Sequence, residues 1–267
     1  MKRIIFDEFD CENKFEFNPK RKKYDYDINT LDYMIDKKQS KKYNIEVGAY
    51  TIINSPQIHE LGNICYDYTQ KLFKKALLKI LKMVNFNSNT NIFIVGLGND
   101  KLLSDSLGRK VVDKVFMSRG VKRFTSSMTN VCGISPNIYA NTGIETYDII
   151  KAVAKEVNPD IVIVIDSLAT NCLSRLGRSF QITTSSMEPG GAMDSKNKVL
   201  SKNSLGFDCV FIGVPLIYST NIDGNKTMFN DKDIDLHVRK CARVISNSLN
   251  EIFFPNFSKD EIDDLLY

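Results

Sequence analysis

Three unbroken apolar runs limit what this chain can become. Residues 92–95 read Ile-Phe-Ile-Val, residues 161–165 read Ile-Val-Ile-Val-Ile, and in the stretch 208–214 Asp208 is followed by Cys-Val-Phe-Ile-Gly-Val. A strand with one wet face alternates apolar and polar residues; one buried on both faces does not. Runs this short and this rich in β-branched residues fit interior strands of a parallel sheet. The stretches around them repeat at helical spacing. Apolar residues fall at 64, 68, 72, 73, 77, 80, 81 and 84, and comparable stripes occupy 144–157 and 233–253. Further strands are expected at 46–54, 128–132 and 180–184, and a short helical piece at 167–176. Alternating strands and helices predict an α/β chain: a three-layer α/β/α sandwich around a mostly parallel sheet.

With 267 residues and 43% hydrophobic content, the chain can bury a full core. Residues 1–45 are polar and charge-rich, including NPKRKKYDYD and DKKQSKK, and read as an N-terminal extension. Residues 46–267 then form the α/β domain. Basic runs in the extension are answered by nearby acids, which suggests a solvated surface. A net charge of +4, from 36 basic and 32 acidic residues, gives no global reason to expect a nucleic-acid or membrane partner. The first ten residues turn acidic after three apolar positions, unlike a signal-peptide core, so a cytoplasmic chain is expected. Six scattered cysteines form no CxxC pair and match no zinc spacing. A catalytic cysteine would have only His59 and His237 as bases, neither in a recognisable motif.

Residues 91–116 read as strand, glycine turn, acidic loop and helix. Gly96 and Gly98 permit a tight turn, and Asp105 stands just before the helical pattern. A second carboxylate, Asp166, ends the apolar run at 161–165. Parallel neighbouring strands would bring both to the carboxyl edge of one sheet, where ligands collect in open α/β folds. Two carboxylates there can share a proton as acid and base, or hold a metal. The competing reading is that each is a helix N-cap. The amides of Gly96, Gly98 and Asn99 could serve as oxyanion donors, or simply shape the turn. The loop at 185–197, with Glu188, Gly190 and Gly191, reads as substrate-facing or as ordinary surface.

Several segments together resemble the germination protease family, the spore endopeptidases that degrade small acid-soluble spore proteins. They are VGLGNDKLLSDSLG, SPNIYANTGIETYDII, PDIVIVIDSLA, FQITTSSMEPGG and LSKNSLGFDCVFIGVP, in the family's order and with similar spacing. A more distant likeness is to hydrogenase-maturation endopeptidases, which place a histidine among their metal ligands; no matching histidine stands in this core. The resemblance implies a phosphorylase/hydrolase-like fold, an atypical aspartic endopeptidase without cofactor or metal, and essential aspartates at Asp105 and Asp166. It also implies a zymogen, possible homo-oligomers and a location in the forespore or spore core, with spore proteins as substrate rather than nucleic acid or membrane. The alternatives are a metal-dependent maturation-type endopeptidase and a non-catalytic homologue that binds a spore protein. The chain departs from the family pattern at Ser104, where proline is usual, and at Glu188, where histidine is usual. A long insertion before the last helix is missing, and so is the self-cleavage sequence, which predicts no efficient self-processing.

Overall fold

The computed structural model describes residues 20–43, 46–60, 62–121, 128–188, 198–222 and 225–266. A hairpin of β1 (Lys20–Lys23) and β2 (Asn29–Ile35) leads through α1 (Lys37–Tyr43) to β3 (Gly48–Asn54) and the long α2 (Gly62–Met83). Next come β4 (Asn91–Gly96), α3 (Leu107–Val112), β5 (Asn130–Ile134), α4 (Tyr139–Thr142), α5 (Thr146–Val157) and β6 (Ile161–Thr170). β7 (Ser179–Thr183), the small pair β8 (Ser186–Met187) and β9 (Leu200–Ser201), and α6 (Lys202–Leu205) follow. The described chain closes with β10 (Asp208–Ile222), β11 (Asn225–Phe229), α7 (Ile234–Phe253) and α8 (Lys259–Leu266).

The main sheet runs β1-β2-β3-β7-β10-β6-β4-β5, with β11 added to β10. The three apolar runs are its adjoining central strands. β10 pairs parallel with β6, β6 with β4, and β4 with β5. Their side chains explain why they lack polar alternation. Ile92 and Ile94 face a core beneath α2, α3 and α7, while Phe93 and Val95 face a second core beneath α5. Helices on both faces leave these strands no wet side. α2 lies on the sheet through Phe73, Leu77, Ile80 and Leu81, all buried at helical spacing. The α/β layering follows the sequence expectation, and the parallel character belongs to the half built from β10, β6, β4 and β5. The other half, β1-β2-β3-β7, is antiparallel, including its join to β10.

Two local expectations differ from the structure. The boundary drawn at residue 45 cuts through the sheet. β2 pairs with the full length of β3, and Ile28, Leu31 and Ile35 are buried, so residues 20–43 belong to the domain. Residues 1–19 of the expected extension lie outside the described residues. The helical piece expected after Asp166 is instead strand. Residues 167–170 stay extended because Ser167, Leu168, Ala169 and Thr170 pair with Val214, Pro215, Ile217 and Tyr218 of β10, across a bulge after Pro215. One turn of 3-10 helix, Leu173–Arg175, follows.

Candidate active site

The parallel half positions the site. From β4 the chain passes by α3 to β5 on one side, then returns by α5 to β6 on the other. The direction of growth therefore reverses at the β4–β6 junction. Such a switch point opens a crevice at the strands' carboxyl ends. Asp105 follows β4, and Asp166 lies in β6, one residue beyond the last β4 pairing of Ile165 with Gly96.

Glycines bring the post-β4 loop in close. At Gly96 a Cβ would overlap the Gly108 carbonyl, and at Gly108 it would overlap the Leu97 backbone. The strand end and the start of α3 thus touch backbone to backbone, which only glycine permits. Gly98 has φ +108° and meets the backbone of Asp105, which doubles back over it. Asp105 ends a 3-10 turn, Leu103–Asp105, and its Oδ2 accepts from the Asn99 amide at 2.8 Å. The Asn99 amide, a candidate either for oxyanion donation or for shaping the turn, is therefore engaged by Asp105. Asp166 Oδ1 accepts from the Ser167 amide at 2.8 Å. Neither carboxylate caps a helix. α3 is preceded by Ser106 with no side-chain cap, and Asp166 lies inside a strand.

The electrostatics are those of a like-charged pair taken out of water. Burial pushes the Asp105 carboxyl up to about 6, against the lowering effect of the Asn99 amide. Asp166 is only 6% exposed, and burial drives its carboxyl well above the ordinary range. The Asp105 charge pushes it further the same way, and the Ser167 amide opposes both. Two carboxylates that feel one another cannot both ionise readily. Among the described residues, no cluster of three His, Cys, Asp or Glu side chains is placed to hold a metal.

A profile of the family described as "Germination protease" matches residues 10–223 of the chain. The chain belongs to the germination protease family. A family member from Clostridium tetani is 32% identical over 222 residues, covering 81% of this chain and 66% of that protein. One from Clostridium acetobutylicum is 28% identical over 227 residues, covering 83% and 67%. One from Priestia megaterium is 33% identical over 175 residues, covering 64% and 47%. This chain thus matches about two-thirds or less of the length of these relatives. A solved [NiFe] hydrogenase maturation protease, HycI from Thermococcus kodakarensis, aligns with 64% of this chain and 98% of its own. At 22% identity and a TM-score of 0.35, that likeness carries no weight at the site.

The remaining expected site residues fare differently. Gly96 and Gly98 shape the loop by close approach. Glu188 is half-buried just past β8. Gly190 and Gly191 lie outside the described residues. Three features had not been anticipated: Gly108 as the partner of Gly96, the Ser167 amide on Asp166, and the tie between the post-β4 and post-β5 loops. In that tie Asn141 Nδ2 donates to Asn99 Oδ1 at 3.1 Å, and Asn137 Nδ2 donates to Asp100 Oδ1 at 2.9 Å. Gly108 sits in a helical stretch where glycine is costly, which was the available signal. The cysteine option also finds its answer. Cys241 lies beside the histidines, its Sγ and His59 Nε2 both directed at the Gly177 carbonyl. Burial holds its thiol up at about 12, so it is no nucleophile.

Proposed function

We propose that the chain is an endopeptidase in which Asp105 and Asp166 work as an acid–base pair on small acid-soluble spore proteins. The observation that carries this reading is two carboxyls raised by burial, unequally, at the sheet's switch point. Unequal burial divides the roles. Asp166, the deeper one and pushed further by the Asp105 charge, is the partner that keeps its proton and acts as general acid toward the peptide carbonyl or the leaving amine. Asp105, at about 6, is ionised at neutral pH and takes a proton from the attacking water. Water attacks the carbonyl carbon, the C–N bond breaks, and the Asp166 proton leaves on the amine. The proton gained by Asp105 then restores the pair.

Exposed apolar side chains around the same edge support a polypeptide substrate. Leu102 and Leu103 flank the Asp105 turn, Tyr139 and Ile144 bound α4 and its following turn, and Leu173 follows β6. Apolar groups grouped around a crevice suit an extended chain better than a small polar ligand. Acid–base work needs only the two carboxyls. The test is incubation of the purified chain with an α/β-type small acid-soluble spore protein, read by mass spectrometry. Discrete fragments that vanish with Asp105→Asn and persist in chelator are expected. Fragments lost in chelator and restored by a divalent ion would replace the acid–base reading with the metal one.

A further inference from the structure

Charge is distributed very unevenly over the folded molecule. Residues 20–43 and 62–83 together carry thirteen basic and five acidic side chains, an excess of eight. The whole chain has an excess of four, so everything else taken together is net negative by four. Folding joins the two segments side by side. Tyr26, in the β1–β2 turn, packs edge-on against Tyr68 near the start of α2, with ring centroids 5.8 Å apart. Asp32 of β2 meets Lys79 of α2 at 2.8 Å. Lys41 of α1 and Val84, just past α2, line one cavity. The hairpin and α1 therefore accompany α2 along its length.

Three of the five acids in these two segments have partners within the fold. Asp32 is held by Lys79 and by the Thr51 hydroxyl, Asp27 accepts from Gln57, and Asp36 accepts from the Gln39 amide at the start of α1. The cations point outward. Lys71, Lys75, Lys79 and Lys82 are exposed at helical spacing, a stripe about 16 Å long at 1.5 Å per residue. All four residues of β1, Lys-Arg-Lys-Lys, are exposed beside β2. Lys20 and Lys22 stand opposite Asp32 and Thr30 in the register, next to the stripe.

We propose that this face binds the phosphate backbone of a nucleic-acid duplex without reading its sequence. A row of ammonium groups on a regular helix suits a row of phosphates, because lysine is a compact point charge. The small overall charge pointed away from such a partner only because it averages this face with an acidic remainder. The proposal is independent of the peptidase reading, since α2 and β1 lie on the antiparallel half, away from the carboxylate pair.

The test is fluorescence anisotropy of the whole chain with labelled 24-base-pair duplexes of mixed sequence, one DNA and one RNA, across a salt series. Non-specific binding of this type is expected near micromolar Kd at about 50 mM salt, weakening roughly tenfold or more by about 200 mM. The triple variant Lys71→Glu, Lys75→Glu, Lys82→Glu should lose at least about tenfold, and Lys75→Glu alone should reduce the salt slope by about one. Control reversals at Lys151, Lys155 and Lys259 should leave binding unchanged, and all variants should keep the wild-type circular-dichroism melt. If the triple variant melts early, the slope change in Lys75→Glu decides. Binding to both duplexes would indicate recognition of phosphate alone; binding to one only would indicate helix geometry as well. Absence of salt-sensitive binding at 50 mM, equal losses in the controls, or tighter binding to phosphatidylserine vesicles or polyglutamate would overturn the proposal.

Discussion

Two buried pairs of titratable side chains sit in this molecule under the same physical pressure and respond in opposite ways. Asp105 and Asp166 lie at the carboxyl edge of the parallel strands, and burial raises both carboxyls. His59 and His237 stack under the antiparallel half, with ring centroids 3.9 Å apart and planes 20° from parallel. Burial lowers both imidazoles, His59 to about 3, where the His237 ring adds to the pressure. Desolvation penalises whichever form is charged, so acids rise and bases fall. In both pairs it selects the neutral state. For the histidines, that state is the working state of a structural contact. His59 Nε2 lies 2.7 Å from the Gly177 carbonyl, which can only accept, so Nε2 carries the proton. For the aspartates, neutrality is reached unequally, and a half-ionised pair is what an acid–base reaction uses. Burial by itself therefore does not mark a site; the proposed one is distinguished by burial that splits two like groups at the sheet's switch point.

The largest test of this contrast is activity. Asp105→Asn and Asp166→Asn should each lower cleavage by about a thousandfold or more, and the double variant should be hardly worse, because the pair acts as a unit. His59→Gln should leave cleavage within a few-fold of wild type. Cleavage by the folded double aspartate variant would dissolve the distinction between the pairs. A second effect is the pH profile. With Asp105 near 6 as the base, the rate should rise about tenfold per pH unit below 6 and level off above it. A rate that stays flat from pH 5 to 7 would remove Asp105 from the base role.

The two pairs also differ in how far sequence alone revealed them. Asp105 and Asp166 were visible because Asp105 lies in the loop beyond the glycine turn that closes one continuous apolar run and Asp166 ends another, and such runs dictate a parallel sheet whose carboxyl edge can be located. That Asp166 lies inside a strand was not visible. Its four following residues stay extended only because β10 is long enough to pair with them. β2 was missed as part of the sheet because it has no clean alternation, with Leu31 and Ile35 buried among polar neighbours, and so gives little signal in a charge-rich stretch. The histidine pair left no trace at all. Its members are 178 positions apart, in a turn and a helix, and meet only through the packing of α7 against the start of α2. The basic face was hidden for the same reason, since neither segment is extreme until they lie side by side.

Stability against pH should separate the pairs at a more modest level. His59 has a folded value near 3 against 6.5 unfolded. The unfolded chain therefore binds more protons in that window, and stability falls as pH drops below about 6.5. Around the rings, Arg178 and Lys240 oppose protonation while Asp231 and Asp233 favour it at His237. Asp105 works the other way. Its folded value is raised, so its contribution is fullest below about 3.8 and is lost as pH rises through about 6. Urea denaturation at pH 4.5 and 7 should show His59→Gln to be less acid-sensitive than wild type, and Asp105→Asn to be more so, because its counterweight is gone. Identical pH dependence in all three would mean that neither pair titrates as described. Gly177→Ala should cost about 1–2 kcal/mol, since its φ is +68° and a Cβ would stand 3.0 Å from His237 Nδ1.

The smallest expected effect bears most directly on why the aspartates are there. A raised carboxyl means that at neutral pH the folded chain resists the charge on Asp166, and Asp105 adds to that resistance. Asparagine removes the ionisable group but keeps an oxygen able to accept from the Ser167 amide, as Asp166 Oδ1 does at 2.8 Å. The strand pairing through Gly213 is untouched, because it uses backbone groups. Asp166→Asn should therefore leave the fold at pH 7 as stable as wild type or more stable, by up to about 1–2 kcal/mol, as is common when a strained active-site group is replaced. Differential scanning calorimetry at pH 7 and pH 4 measures it, with the gain expected to shrink at pH 4, where the wild-type pair is protonated. A structural carboxylate held by favourable contacts would behave in the opposite sense, losing stability on replacement. A clear drop in Tm at pH 7 would place Asp166 with the histidines, as a group kept for the fold rather than for chemistry.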